Sequence, residues 1–299
     1  MRALTDILQL RQGAEHAAQD LPALSMQARR AAQAVLHGFH AQRKPGMGEE
    51  FWQFREYRPG DRPQDIDWRQ SAKTRDVYIR QKEWHTTQSC FFWCAGGAGM
   101  DWASARRLMK KGDAARILAL ALAILMQANE ERVGLLGTGE TGRSGQMLDK
   151  IGQGFLDYAK DGRALPPSMH LHLPRHSSLV LAGDFLSPLI DIQDVFTNLS
   201  TRTDNVLILQ VLDPAEIDLP YAGRVAFFGA GTGEKEIVED AASVRMAYNT
   251  RIEAHIGEIQ ALCSKLGWSY VLHQTDRPLE ASLLDVRGLF EPEKGSGPR

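Results

Sequence analysis

Two aspartates stand directly behind apolar runs: Asp184 closes SSLVLAGD and Asp213 closes NVLILQVLD. A carboxylate that follows a buried strand lies at the carboxyl edge of its sheet, where open α/β sheets bind ligands. There it can bind a hard cation through oxygen or cap the helix that comes next. Both readings of Asp184 and Asp213 stay open. Upstream, Ser89–Cys94 (SCFFWC) runs into Ala95-Gly96-Gly97-Ala98-Gly99. The spacing is not GxGxxG, because Gly97-Ala98-Gly99 is followed by Met100, Asp101 and Trp102, and no P-loop lysine accompanies it. A plain tight turn is the expectation. His170, His172 and His176 could contribute to zinc, but no cysteine or carboxylate is close in sequence to complete four ligands. Solvated histidines of a loop or edge strand are expected instead. Cys90 and Cys94 lack CxxC spacing and share one strand face, as core thiols do. GxSxG, HExxH and Cys–His signatures are absent, so no catalytic residue is expected.

The elements that must position these groups follow from periodicity. From residue 89 onward, apolar runs alternate with helical segments. The strands are Cys90–Cys94, VGLLG (133–137), SSLVLAGDF (177–185), NVLILQVLD (205–213) and WSYVLHQTD (268–276). Helices are expected over about 103–129, 145–160, to about Ser200, over about 241–266, and in the closing RPLEASLLDVRGLF, with a hairpin at GRVAFFGAGTGEKEIVE. Strands separated by helices of this length pair in parallel with right-handed crossovers. The expected class is therefore α/β, a doubly wound and mainly parallel sheet.

The segment before the first strand has another texture. Ser25 can cap a helix from Met26 to about His40. In 48–86, alternation at Phe51, Gln53, Arg55 and Tyr57 and at Val77 and Ile79 predicts short strands, with turns at Pro59-Gly60-Asp61 and Arg62-Pro63. Asp61, Asp65 and Asp67 interleave with Arg55, Arg58, Arg62 and Arg69 beside Trp68. Such density of opposite charges and aromatics suits a docking face for another protein. A hydrolase or nuclease built on these aspartates is the weakest reading, since Arg62 and Arg69 are near enough to pair with them. The expected organisation is a lead-in over 1–25, a helix plus β-rich subdomain over 26–88, an α/β domain over 89–290 and a flexible tail over 291–299.

The totals exclude some classes. With 35 basic and 37 acidic residues the net charge is -2, which argues against a general footprint for nucleic acid. Three cysteines do not make a disulfide framework. The N-terminal residues lack the apolar core of a secretory signal. The longest apolar stretch, Ile117 to Met126, is about half of the ~20 residues a spanning helix needs. A cytoplasmic protein without a membrane span is expected.

GEEFWQFREYRPGD (48–61), IDWRQSAK (66–73) and VYIRQKEW (77–84) resemble the signature of the domain-of-unknown-function 58 family, and the likeness runs over about residues 25–285. The resemblance implies a von Willebrand factor A-like α/β domain preceded by a β-rich element. It also implies a partner: members of that family are typically encoded beside MoxR-type AAA+ ATPases and are thought to act with them in assembly or maturation of other proteins. No enzymatic activity is established for the family. The expected function is a non-catalytic protein-interaction module, with Arg55, Tyr57, Asp61, Asp67, Trp68 and Arg69 meeting the partner. Two departures stand out. Gln64 replaces the family's usual Arg. The Asp-x-Ser-x-Ser metal motif of von Willebrand A-like domains falls on Ala95, Gly97 and Gly99, which supply no side-chain oxygen. A lost metal site and no cofactor are therefore expected, with Thr138, Thr141 and Ser144 left as second-loop oxygens. The alternative is a cation-dependent binding protein in which Asp184, Asp213 and Thr138 hold Mg²⁺ in a rearranged site.

Overall fold

Five apolar runs become five parallel strands; the central three are buried on both faces, as a sheet covered by helices on both sides requires, while Ser269–Gln274 at one edge alternates buried with half-buried residues. They are β3 (Ser89–Cys94), β4 (Arg132–Leu135), β5 (Ser177–Gly183), β6 (Asn205–Leu212) and β9 (Ser269–Gln274), in the spatial order β4-β3-β5-β6-β9. Phe91 sits between Gly134 and Leu179, and Leu181 between Trp93 and Ile208. The computed structural model describes residues 21–35, 51–56, 71, 78–82, 89–167, 173–174, 177–203, 205–229 and 234–290, without the side chains of 51–56, 78–82 and 287–290. The chain forms two units, Met1–Gly38 with Gln88–Arg299, and Phe39–Thr87.

In the larger unit the chain steps from β3 outward to β4, then crosses back to β5 on the far side of β3. The strand order reverses between β3 and β5, and the crevice at their carboxyl ends is where such sheets place ligands. Outside β4 an antiparallel bridge joins Val133 to Gly142, which covers part of the exposed edge.

Helix α2 (Lys111–Ala128) fills the space behind β3, β5 and β6, with Ile117, Leu118, Leu120 and Leu122 buried. Each such side chain contributes about 1.5–3 kcal/mol by leaving water. Helix α1, described over residues 21–35, buries Leu24, Ala28, Ala31, Ala32 and Val35 along one face. It meets α2 at α3 (Gly145–Asp161), where a Cβ on Gly152 would lie 2.7 Å from Leu21 and 3.7 Å from Leu120. One sequence expectation changes here. Residues 21–25 are already helical, so Ser25 lies inside α1 and does not cap it. The helix belongs to the larger unit.

The remaining helices are α4 (Leu189–Ser200), the short α5 (Pro214–Ile217), α6 (Ala241–Leu266) and α7 (Leu279–Phe290). Asp240 caps α6 through the Ala242 N–H, and Gly267 ends it at a φ of 71°. Phe196 of α4 stacks between Phe185 and Trp268, with centroids 5.8 and 5.1 Å apart, and ties that helix to the sheet. The hairpin expected after β6 is β7 (Val225–Phe228) paired with β8 (Lys235–Val238). In the smaller unit, β1 (Phe51–Glu56) pairs antiparallel with β2 (Tyr78–Lys82). Among the described residues no helix is long and apolar enough to cross a membrane.

Candidate functional site

The loop from Ala95 to Lys110 opens the carboxyl edge at the strand-order reversal. Its small residues serve packing. The Ala95 N–H donates to the Ala182 carbonyl at 2.7 Å, and the Gly96 N–H to the Arg163 carbonyl at 2.8 Å. A Cβ on Gly96 would stand 2.0 Å from the Tyr158 carbonyl oxygen at the end of α3. Gly97 has a φ of +101°, a conformation L side chains rarely adopt. The buried Ala95 methyl lies 2.7 Å from where a Cβ on Gly183 would be. A serine at 97 would therefore be strained, and its Cβ would stand 3.1 Å from the Gly162 carbonyl oxygen.

The helix that follows begins at Lys111, eight residues after the Ala103 expected from the sequence. Tertiary contacts hold the chain back. The Lys111 and Gly112 N–H groups donate to the Trp102 and Met100 carbonyls, and the Ser104 N–H donates to Asp213 Oδ2 at 2.9 Å.

Lys111 is the centre of the edge. Its side chain is 1% exposed, and its ammonium donates to Asp184 Oδ2 at 3.0 Å and Glu216 Oε1 at 2.6 Å. The other oxygens of these carboxylates are also used. Asp184 Oδ1 accepts from the Leu186 N–H at 3.4 Å, and Glu216 Oε2 from the Asp213 N–H at 3.0 Å. Asp213 accepts from the Ala215 N–H through Oδ1, so its side chain caps α5 and Glu216 completes a capping box. Burial raises the Glu216 pKa above the usual carboxylate range, although Lys111 pulls it down.

A polar layer supports the triad from below. Gln210 is fully buried; its Nε2 donates to the Asp184 carbonyl at 2.7 Å, and its Oε1 accepts from the Tyr270 hydroxyl at 2.5 Å. The next residue, Phe185, is buried at a φ of 49°, and its carbonyl accepts from His255 Nε2 at 2.8 Å. A bulky residue in the left-handed region costs about 1–3 kcal/mol and persists only where its surroundings hold it. Strain here marks the turn that aims Asp184 at Lys111.

The chain matches the family described as Protein of unknown function DUF58 over residues 53–150 and 159–258. It belongs to that family. Uncharacterized proteins of Mycobacterium tuberculosis and Mycobacterium bovis are 26% identical to it over 284 residues, spanning 88% of this chain and 86% of theirs. No solved structure gives a significant match.

In this DUF58 chain the other sequence-selected oxygens do not join Asp184. The Thr138 hydroxyl donates to the Leu135 carbonyl at 2.9 Å and accepts from the Glu140 N–H at 3.3 Å, closing its own turn. Thr141 accepts from Arg132, and Ser144 caps α3. Among the described residues no group of three or more His, Cys, Asp or Glu side chains is arranged to hold a metal. Arg55 lies on β1 opposite Ile79. Tyr57, Asp61, Asp67, Trp68 and Arg69 lie outside the described residues, as do His170, His172 and His176. All three cysteines are free and buried, and burial raises each thiol pKa, that of Cys263 to about 12.

Sequence reasoning missed Lys111 and Glu216. Signals existed for both. Asp213-Pro214-Ala215-Glu216 has the spacing of a capping box. Lys110-Lys111 stands at the start of a long apolar helix, where the helix dipole disfavours cations, so the pair is a local anomaly.

Proposed function

We propose that this chain is a non-catalytic protein-interaction module, serving a MoxR-type AAA+ ATPase in the assembly or maturation of other proteins. The observation that carries the reading is the state of the carboxyl edge. Its charged groups, Lys111, Asp184, Asp213 and Glu216, are spent on one another and on backbone amides. A nucleophile or general base needs a free side chain within reach of substrate, and this cluster offers none. The same edge instead exposes Trp102 and Leu186 on its loops and Ile190 in the first turn of α4, the last 61% exposed. Exposed apolar side chains of this kind suit a protein partner.

The parallel order β4-β3-β5-β6-β9, with an antiparallel bridge outside β4, supports a von Willebrand A-like reading of the sheet. The divalent cation implied by that fold does not fit here. Ala95, Gly97 and Gly99 offer no side-chain oxygen, a Cβ on Gly97 would stand 3.1 Å from the Gly162 carbonyl oxygen, and an ammonium already neutralises Asp184.

Affinity capture from the native cell tests the proposal. The full chain is expected to retain an AAA+ ATPase, with retention reduced at least tenfold by Arg55→Ala, Trp68→Ala or Ile190→Asp. Recovery of no such ATPase, or recovery indifferent to all three substitutions, rejects the reading.

A further inference from the structure

We infer that Lys111 is the resident cation of this edge, a covalently tethered ammonium doing the structural work of a divalent ion. This goes beyond the interaction reading and holds whatever the partner is. A metal in a crevice of this kind joins segments that are distant in sequence by drawing carboxylates onto one charge. Lys111 does the same. It is the first residue of α2, Asp184 comes from the loop after β5, and Glu216 from α5 after β6. They are separated by 73 and 105 positions, so nothing local brings them together.

The placement is costly unless the charge is needed. A lysine 1% exposed has lost nearly all its water, and a buried charge is retained only when paired and hydrogen-bonded. Position 111 opens α2, where the helix dipole repels a cation. Two carboxylates overcome both effects. Each keeps one oxygen on a backbone amide and presents the other to the ammonium. Two carboxylate oxygens from separate segments are also what Mg²⁺ and similar hard ions use, with water completing the shell. The edge is thus locked without any metal.

The idea has a sharp consequence. Lys111→Ala empties the space between two carboxylates and should turn a metal-indifferent protein into a cation-binding one. The full chain is purified as wild type, Lys111→Ala, Lys111→Met and Lys111→Ala/Asp184→Asn, and thermal melting is followed with and without millimolar MnCl₂. The expected wild-type melting temperature is unchanged by Mn²⁺. Lys111→Ala melts lower and regains at least half of the loss with Mn²⁺. Lys111→Met, which fills the space without charge, melts lower and regains nothing, and the double variant also loses the response. Should Lys111→Ala fail to fold alone, recovery on dilution from denaturant into Mn²⁺ supports the inference, and failure with Mn²⁺ overturns it. Equal Mn²⁺ stabilisation of wild type and Lys111→Ala also overturns it. Amine acetylation of the native wild-type chain is independent of folding in the variants. Lys110, 50% exposed, should react at least tenfold faster than Lys111, and equal rates contradict the buried pair.

Discussion

Lys111 and His273 are basic side chains in the same α/β unit, each about 1% exposed, and they are buried in opposite ways. Lys111 has two carboxylate oxygens within 3.0 Å. His273, on β9, shares a 2.8 Å hydrogen bond with Ser282 Oγ of α7. Burial lowers its pKa to about 4, with Arg277 adding to the effect and Asp276 opposing it. One base is buried as a cation because acids from distant segments converge on it. Burial favours the neutral form of the other, whose bonded partner is a hydroxyl and carries no charge to offset it. Equal burial leads to opposite charge states, and the partner decides.

The largest test of that contrast is Lys111→Met. Removing one member of a buried ion pair leaves uncompensated charge, so unfolding stability at pH 7 should fall by about 3–5 kcal/mol in urea denaturation. The loss should shrink in acid. Without Lys111 nothing offsets the burial that already raises the Glu216 pKa, so the penalty is present at neutral pH and disappears below the unfolded carboxylate range. A penalty equally large at pH 4 breaks the comparison.

His273 comes next. Its folded pKa lies below its unfolded value of 6.5, so its contribution is full above pH 6.5 and is lost as pH falls toward about 4. A factor of ten in proton affinity corresponds to about 1.4 kcal/mol, which places the loss at about 3 kcal/mol. His273→Gln should flatten that part of the stability profile. An unchanged slope in the variant assigns the titration elsewhere.

Smaller effects follow at the edge loop. Gly97→Ser adds a side chain at a φ of +101° and should cost about 1–3 kcal/mol without conferring Mn²⁺ binding. Lys110→Ala is the smallest. Lys110 pairs with Asp101 at 2.6 Å, as close as Lys111 to Glu216, but the partners are 50% and 71% exposed. Solvent screening reduces such a pair to less than about 0.5 kcal/mol, measurable as an almost unmoved denaturation midpoint. A large effect there would mean that distance, not desolvation, sets the value of these lysines.

The elements of the larger unit were readable because their signals are local. Helix α6 follows from Asp240 before its first turn, Gly267 after its last, and apolar spacing between. The strands follow from short apolar runs flanked by turns, and the crossover lengths imply parallel pairing. Asp213 was left between cap and cation ligand; its contacts with the Ala215 and Ser104 amides decide for the cap. The start of α2 was misplaced because Trp102 and Met100 carbonyls, not a capping side chain, satisfy its first amides.

The sequence by itself therefore determined the strand–helix order, the edge that matters and the lack of oxygen at Ala95, Gly97 and Gly99. It could not assign a role to Lys111. That role depends on two carboxylates brought within 3.0 Å by parallel pairing of β3, β5 and β6. A charge's fate rests on which groups surround it after desolvation, and only the folded sheet assembles those groups.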